Sequence, residues 1–346
     1  MVTAEQLLAG PRGRWLCHDV ATDDEAVHGA WFWASTIIDP VYGTPAMAVI
    51  RFSDDDDEVG QDPVVTPEEV AALITERASH PTPQTIARAF TQSVECARYW
   101  QEPMGRQVLG AVPVVRAALA ETARRVAVLA PGCWDEPAAA EQWVVTWGDD
   151  LAAPDLAVAA ANHRGRHDAV ENEERAQRDR PVDPAAMFSG AWWSVPWGVP
   201  HTVARLPEAL SLVEDGAGWH RAHLHPITAT GRVFEIRSAA DWAALCREYP
   251  LDVTASKRHD WFRTTGRAGA WVVPDWERVG EHWDGVHLTA AAYLAAAGTV
   301  IDVSDDTASV IAGWDPDATF WLTDVLRPAG APRAATLDDD GVWHLV

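Results

Sequence analysis

Residues 254 to 267 read TASKRHDWFRTTGR and gather Lys257, Arg258, Arg263 and Arg267 around a single acid, Asp260. The whole chain carries 27 basic against 51 acidic residues, a formal net charge of −24, so this island reverses the local sign. Guanidinium forks bind phosphate or carboxylate through paired hydrogen bonds, and hydroxyls beside a glycine can complete an anion nest. Thr264 and Thr265 supply the hydroxyls and Gly266 the turn, while Trp261 offers a face on which a planar ring could stack. The expectation is a small anionic, phosphate- or nucleotide-like ligand held by Lys257, Arg258, Arg263, Arg267, Trp261, Thr264 and Thr265.

Twenty residues further on, DGVHLT places Val286 and Leu288 on one face of a strand and His287 on the other. A histidine beside an anion pocket can act as a general acid or base near neutral pH, which makes His287 the candidate catalytic residue. In WHRAHLHP, Arg221, His223 and His225 alternate and share a strand face. His223 and His225 could give a metal two imidazole ligands, with His259, His287 or Glu235 as a third, but Arg221 on the same face opposes a cation. His163 and His167 have helical spacing and are interrupted by Gly165 and arginines.

Standard signatures are missing. No GxxxxGK[ST], HExxH or GxSxG occurs, and Arg221 stands where DGAGWHR would need the third glycine of a dinucleotide fingerprint. SDDDDEVG fails as a calcium loop: with Asp55 first, Val59 and Thr66 occupy ligand positions. These failures leave the cofactor unknown.

The elements that must position these groups follow from periodicity. AWFWASTII and PAMAVIRF are β-branched and aromatic and read as a strand pair. Thr66-Pro67-Glu68-Glu69 signals a capping box, Ile86, Phe90, Val94 and Ala97 follow a helical stripe, and PVVRAALAETARRVAVLA continues as helix. Residues 162–184 are almost wholly polar and read as a linker or exposed helix. RVFEI and GAWVV are strand candidates, each followed by a helix. Those helices carry matching stripes, Trp242, Leu245, Cys246, Tyr249 and Trp276, Val279, Gly280, Trp283, which read as core. The expected fold is α+β or mixed α/β in two domains. Residues 1–161 form a helix-rich half with a short sheet, and 185–346 a half of alternating short strands and helices.

The blocks GPRGRWLC, ARYWQEP, LVEDGAGW, RHDWFRTTGR, DGVHLT and GWDPDATFW resemble a family of actinobacterial cytosolic proteins to which no activity is attached. DGVHLT also resembles the histidine strand of ADP-ribosyltransferase-like folds, where the histidine holds a nicotinamide ribose. Leu288 replaces that family's glycine, and no glutamate follows His287, so the resemblance implies binding without the transfer chemistry.

Composition bounds the rest. At 48% hydrophobic and 23% charged, the chain is globular, and its negative field disfavours nucleic acid and anionic membranes. No run is apolar for the eighteen or so residues a span requires. The N-terminal stretch lacks a secretory pattern, and four cysteines without a CxxC pair fit buried thiols, so a cytoplasmic location is expected. Alternatively, an acidic surface and nineteen tryptophans suit an interaction factor, inhibitor- or immunity-like, with a basic protein partner.

Overall fold

The computed structural model describes residues 2–42, 63–148 and 154–346. The strand expected at 45–52 and the acidic turn at 53–60 lie outside them. The first half is helical: α1 (Ala4–Ala9), α2 (Pro11–Ala21), α3 (Glu25–Ile38), α4 (Pro67–Arg77), α5 (Pro83–Glu95), α6 (Gly105–Ala111), α7 (Pro113–Ala118) and α8 (Ala120–Leu129). Strand β1 (Gln142–Trp147) and the long α9 (Val158–Asp179) lead into the second half. There β2 (His201–Thr202), β3 (Arg221–Ala229), β4 (Val233–Ile236) and β5 (Pro250–Asp252) bracket α10 (Ala239–Glu248). Next come α11 (Thr254–Thr265), β6 (Ala270–Pro274), α12 (Trp276–Gly280), β7 (Gly285–Leu288) and α13 (Ala290–Ala296). Six short strands finish the chain: β8 (Ile301–Asp302), β9 (Thr307–Ser309), β10 (Thr319–Trp321), β11 (Leu326–Pro328), β12 (Arg333–Leu337) and β13 (Trp343–Leu345).

The chain is an α+β protein with three small sheets among the described residues. In the first, β3 pairs antiparallel with β1 on one edge and with β11 and β12 on the other, and β13 extends β12. The second runs β2-β10-β7-β4 and the third β5-β6-β9-β8, with β4–β7 and β6–β9 parallel.

AWFWASTII is helix, not strand. Asp24 caps the helix by accepting from the amides of Ala26 and Val27, and Val27, Trp31, Ala34 and Ser35 then fall on one buried face. That period of 3.6 outweighs the β-branched composition. Residues 162–184, expected as a linker or exposed helix, lie mostly in α9, which buries Asn162, Glu173 and Ala176 against α11 and α12.

The largest hydrophobic cluster draws on both halves, joining Leu7, Trp31, Leu109 and Val126 to Trp242, Tyr293, Trp314 and Leu322. The two aromatic stripes meet inside it: Trp242, Trp276 and Trp314 pack mutually with ring centroids about 6 Å apart. Gly10 lets the α1–α2 corner touch α13, since a Cβ there would sit 2.4 Å from the carbonyl oxygen of Ala295. Among the described residues no helix is long and apolar enough to cross a membrane.

At α4 the expected capping box is formed. Thr66 Oγ1 accepts from the Glu69 amide, and the Glu69 carboxylate accepts from the Thr66 amide at 2.8 Å. Thr66→Ala is expected to lower the unfolding free energy by about 1 kcal/mol in urea titration, the usual worth of such a cap.

Candidate functional site

The basic island between 254 and 267 forms the helix α11 and its C-terminal turn at Gly266. Thr264 and Thr265 donate to the carbonyls of Asp260 and Trp261 one turn back, so their hydroxyls are spent within the helix. Arg263 donates from Nε to the carbonyl of Trp100 (2.8 Å) and from Nη2 to the carbonyl of Phe188 and to Asp260 Oδ1, both at 2.5 Å. Arg267 reaches the carbonyls of Ala270 and Asp306 with its guanidinium over the Trp271 ring, and Arg258 reaches the carbonyl of Val182. Lys257 is buried and donates to the carbonyls of Ala191 (2.9 Å) and Trp193 (2.5 Å).

These groups tie neighbouring chain segments to α11. They do not converge on a ligand as the sequence implied. Trp261 is fully buried, with its indole N–H donated to the carbonyl of Trp192, so it has no free face for stacking. The charge reversal is therefore internal bookkeeping, with arginine forks matched to the protein's own carbonyls.

His287 does not join this helix. It lies in β7 at 1% exposure, Nδ1 2.7 Å from Glu235 Oε2 and Nε2 3.2 Å from Asp317 Oδ1. Burial pushes its pKa down, but the bonds to Asp317 and Glu235 outweigh this and the net shift is upward. A ring facing two carboxylates must donate from both nitrogens, which is the imidazolium form. Asp317 and Glu136 are in turn bridged by Arg205. With both nitrogens occupied, His287 has none left to serve as a general base. It is the buried end of an ion network that runs through Asp317 and Arg205 to the exposed Glu136, and neither ring nitrogen is free for the catalytic role expected.

His223 and His225 do share a strand face, and His225 Nε2 sits 3.2 Å from the Thr146 hydroxyl. Burial and then the charge of His223 push the His225 pKa down. Glu235 and His287, considered as a third ligand, bond to each other in a different sheet. Among the described residues the one triad with metal-binding spacing is His167, Asp168 and Glu171, exposed on α9. All four cysteines are free, and burial lifts Cys17 and Cys246 to about 12, far from thiolate reactivity at neutral pH.

A different set of cations does surround open space. A cleft of about 360 Å³ lies between the start of α2, the segment after α5, α6, the end of α11 and the turn after α13. Arg12, Arg14 and Arg98 line it together with Gln107, Thr264, Thr265 and Thr299, and among the described residues no aspartate or glutamate does. Gly298 shapes one wall. Its φ of +76° is left-handed, and a Cβ would meet Tyr99 at 3.2 Å and Pro11 at 3.3 Å.

Arg12 is only 2% exposed. Nη1 donates to the carbonyl of Ser93 at 2.8 Å, while Nε is buried with no partner. Arg14 closes the end of α1 by donating to the carbonyls of Leu8 and Ala9, and its Nε is also unpartnered. Burial, then Arg116, then Arg12 push Arg14 down to about 10, well below an ordinary guanidinium. Arg98 donates to the carbonyls of Glu95 and Ala97. Among the described residues none of the three forms an ion pair with a carboxylate. Only Thr264 and Thr265 of the residues expected to bind ligand reach this cleft.

Arg12, Arg14 and Arg98 were not picked out from the sequence, because Arg98 is distant along the chain and residues 12 and 14 do not share a helical face. The available signal was Arg12 itself, three and four residues before Trp15 and Leu16 and so on the apolar side of α2. Set against protein-family models, curated proteins and solved structures, the chain matches none of them.

Proposed function

We propose that the protein binds a compact anion, of sugar-phosphate size, in the cleft lined by Arg12, Arg14 and Arg98. The observation that carries this reading is Arg12, a buried guanidinium at the cleft with an unpartnered N–H and, among the described residues, no carboxylate bonded to it. Burying a cation without a hydrogen-bonded counter-ion costs several kcal/mol, and an external anion would offset that cost. In a chain of net −24, a cleft lined by three arginines and, among the described residues, by no acid favours an anion over neutral or cationic ligands. The ligand class expected from the sequence is kept; the residues that hold it are different.

Burial of the tryptophans favours this reading over an aromatic docking face. Of the nineteen, only Trp197 and Trp219 are largely exposed.

Titration calorimetry with inorganic phosphate, pyrophosphate and a hexose phosphate, at constant ionic strength, tests the proposal. At least one is expected to bind, and Arg14→Met with Arg98→Met is expected to weaken it about 100-fold, since a hydrogen bond to a charged group is worth about 1.5–3 kcal/mol. No heat from any of the three, or an unchanged affinity in the double variant, would remove the reading.

A further inference from the structure

Lys257 is the only lysine in the chain. Besides tying Ala191 and Trp193 to α11, it lines a second cavity, about 270 Å³, bounded by α9, α11, β6 and the segment from Ala191 to Trp197. Aromatic rings form much of that cavity. Trp193 and Trp197 stack with centroids 4.7 Å apart, and Trp276 lines it as well. Trp197 is 57% exposed, so the stacked pair runs from the buried amine out to solvent.

The amine has no ion-pair partner among the described residues. The two acids that act on it are committed elsewhere. Asp260 accepts from Arg263 and from the amides of Gly190 and Ala191, and Glu173 accepts from the amides of Ala255 and Ser256. Arg180 opposes a positive charge here, and burial, the dominant influence, pushes Lys257 down to about 7. Hydrogen-bond counting agrees with that direction. A neutral amine has two hydrogens, which the two carbonyls satisfy, and a lone pair left without a protein partner. An ammonium would bury a third N–H unmatched. An uncharged lysine beside a cavity is the usual nucleophile toward a carbonyl carbon.

We infer that Lys257 captures planar aldehydes in this cavity as an imine. The nitrogen lone pair attacks the carbonyl carbon to form the N–C bond. The carbonyl oxygen then leaves as water, taking both amine hydrogens, so no oxidant or reductant is needed. Trp193 and Trp197 hold the flat ring of an aromatic aldehyde against the amine, and this site is separate from the arginine cleft.

The sole lysine makes the test direct, because the only competing amine is the one at the chain terminus. The full chain is incubated with benzaldehyde and sodium cyanoborohydride, which reduces an imine irreversibly, and the adducts are located by peptide mass spectrometry. Benzylation is expected at Lys257, faster than at the terminal amine and half-maximal near pH 7, where an ordinary lysine is almost wholly protonated and reacts slowly. Trp197→Ala, a change at an exposed side chain, is expected to slow Lys257 labelling about tenfold while leaving the terminal amine unaffected. Labelling of Lys257 only after unfolding in urea would show a purely structural lysine and overturn the inference. So would a labelling rate that Trp197→Ala does not change.

Discussion

Asp260→Ala is expected to lower the unfolding free energy by about 4 kcal/mol, the usual cost of breaking a buried charge pair by removing one partner. Asp260 is 1% exposed in the middle of α11. One carboxylate oxygen accepts from Arg263, and the other from the amides of Gly190 and Ala191 at 3.1 and 3.2 Å. Removing it leaves the buried amide of Ala191 and the amide of Gly190 short of an acceptor and one guanidinium short of its counter-charge, each a separate penalty. Urea denaturation followed by tryptophan fluorescence measures the loss. A cost under about 1 kcal/mol would mean that α11 and the segment around Gly190 are not joined as described, and that the arginines of this helix are free for another purpose.

That prediction turns on a feature the sequence conceals. A helix is recognised by an apolar stripe, but the buried side of α11 is made of Ser256, Lys257, His259, Asp260 and Trp261. Lys257 and Asp260 bond to partners 64 to 70 residues away, between Gly190 and Trp193. Periodicity carries no trace of such partners, so the segment reads as an island of charge with no element assigned. Even the cap of this helix comes from elsewhere: Val253 has no side-chain acceptor, and Glu173 of α9 receives the amides of Ala255 and Ser256 instead. By contrast, α4, α10 and the strands β4 and β6 are legible because their signals are local. Thr66 and Ser238 cap their own helices, and RVFEI and GAWVV are short apolar runs of strand length.

The arginine cleft divides the same way. Its chemistry, guanidinium groups in an acidic protein, follows from residue types. Its location depends on how α2, α6, α11 and the turn after α13 pack, and the two glycines that allow that packing are separated by nearly the whole chain. Gly10 admits the carbonyl of Ala295, and Gly298 admits Tyr99 and Pro11. His287 shows the converse. Its strand was legible, but the acids on either side of the ring come from β4 and from the loop before β10, and they turn a candidate base into a fixed cation.

Glu214→Gln is expected to change how stability depends on pH by about 3 kcal/mol between about pH 4 and about pH 8. Glu214 is buried. Its Oε1 accepts from the hydroxyls of Tyr99 and Tyr293 (2.7 Å for the latter), and Oε2 is buried without a partner. Burial raises its pKa to about 7, with the tyrosine bonds and the charge of Arg12 pulling the other way and Asp315 adding to the rise. Between the unfolded value near 4.5 and the folded value near 7, the folded chain holds a proton that the unfolded chain has released. Stability from this group is therefore complete below about pH 4.5 and is lost as pH rises through 7. Glutamine keeps an acceptor for the two tyrosines and cannot ionise, so the variant gains on the native chain across that window whatever constant offset the new amide introduces. Tyr99 also lines the arginine cleft, and Arg12 stands beside both sites, so the charge that develops on Glu214 lies close to any bound anion. Chemical denaturation of both chains at the two pH values gives the difference directly. A difference that does not vary with pH would show Glu214 ionising at its ordinary value, with the buried carboxyl open to water.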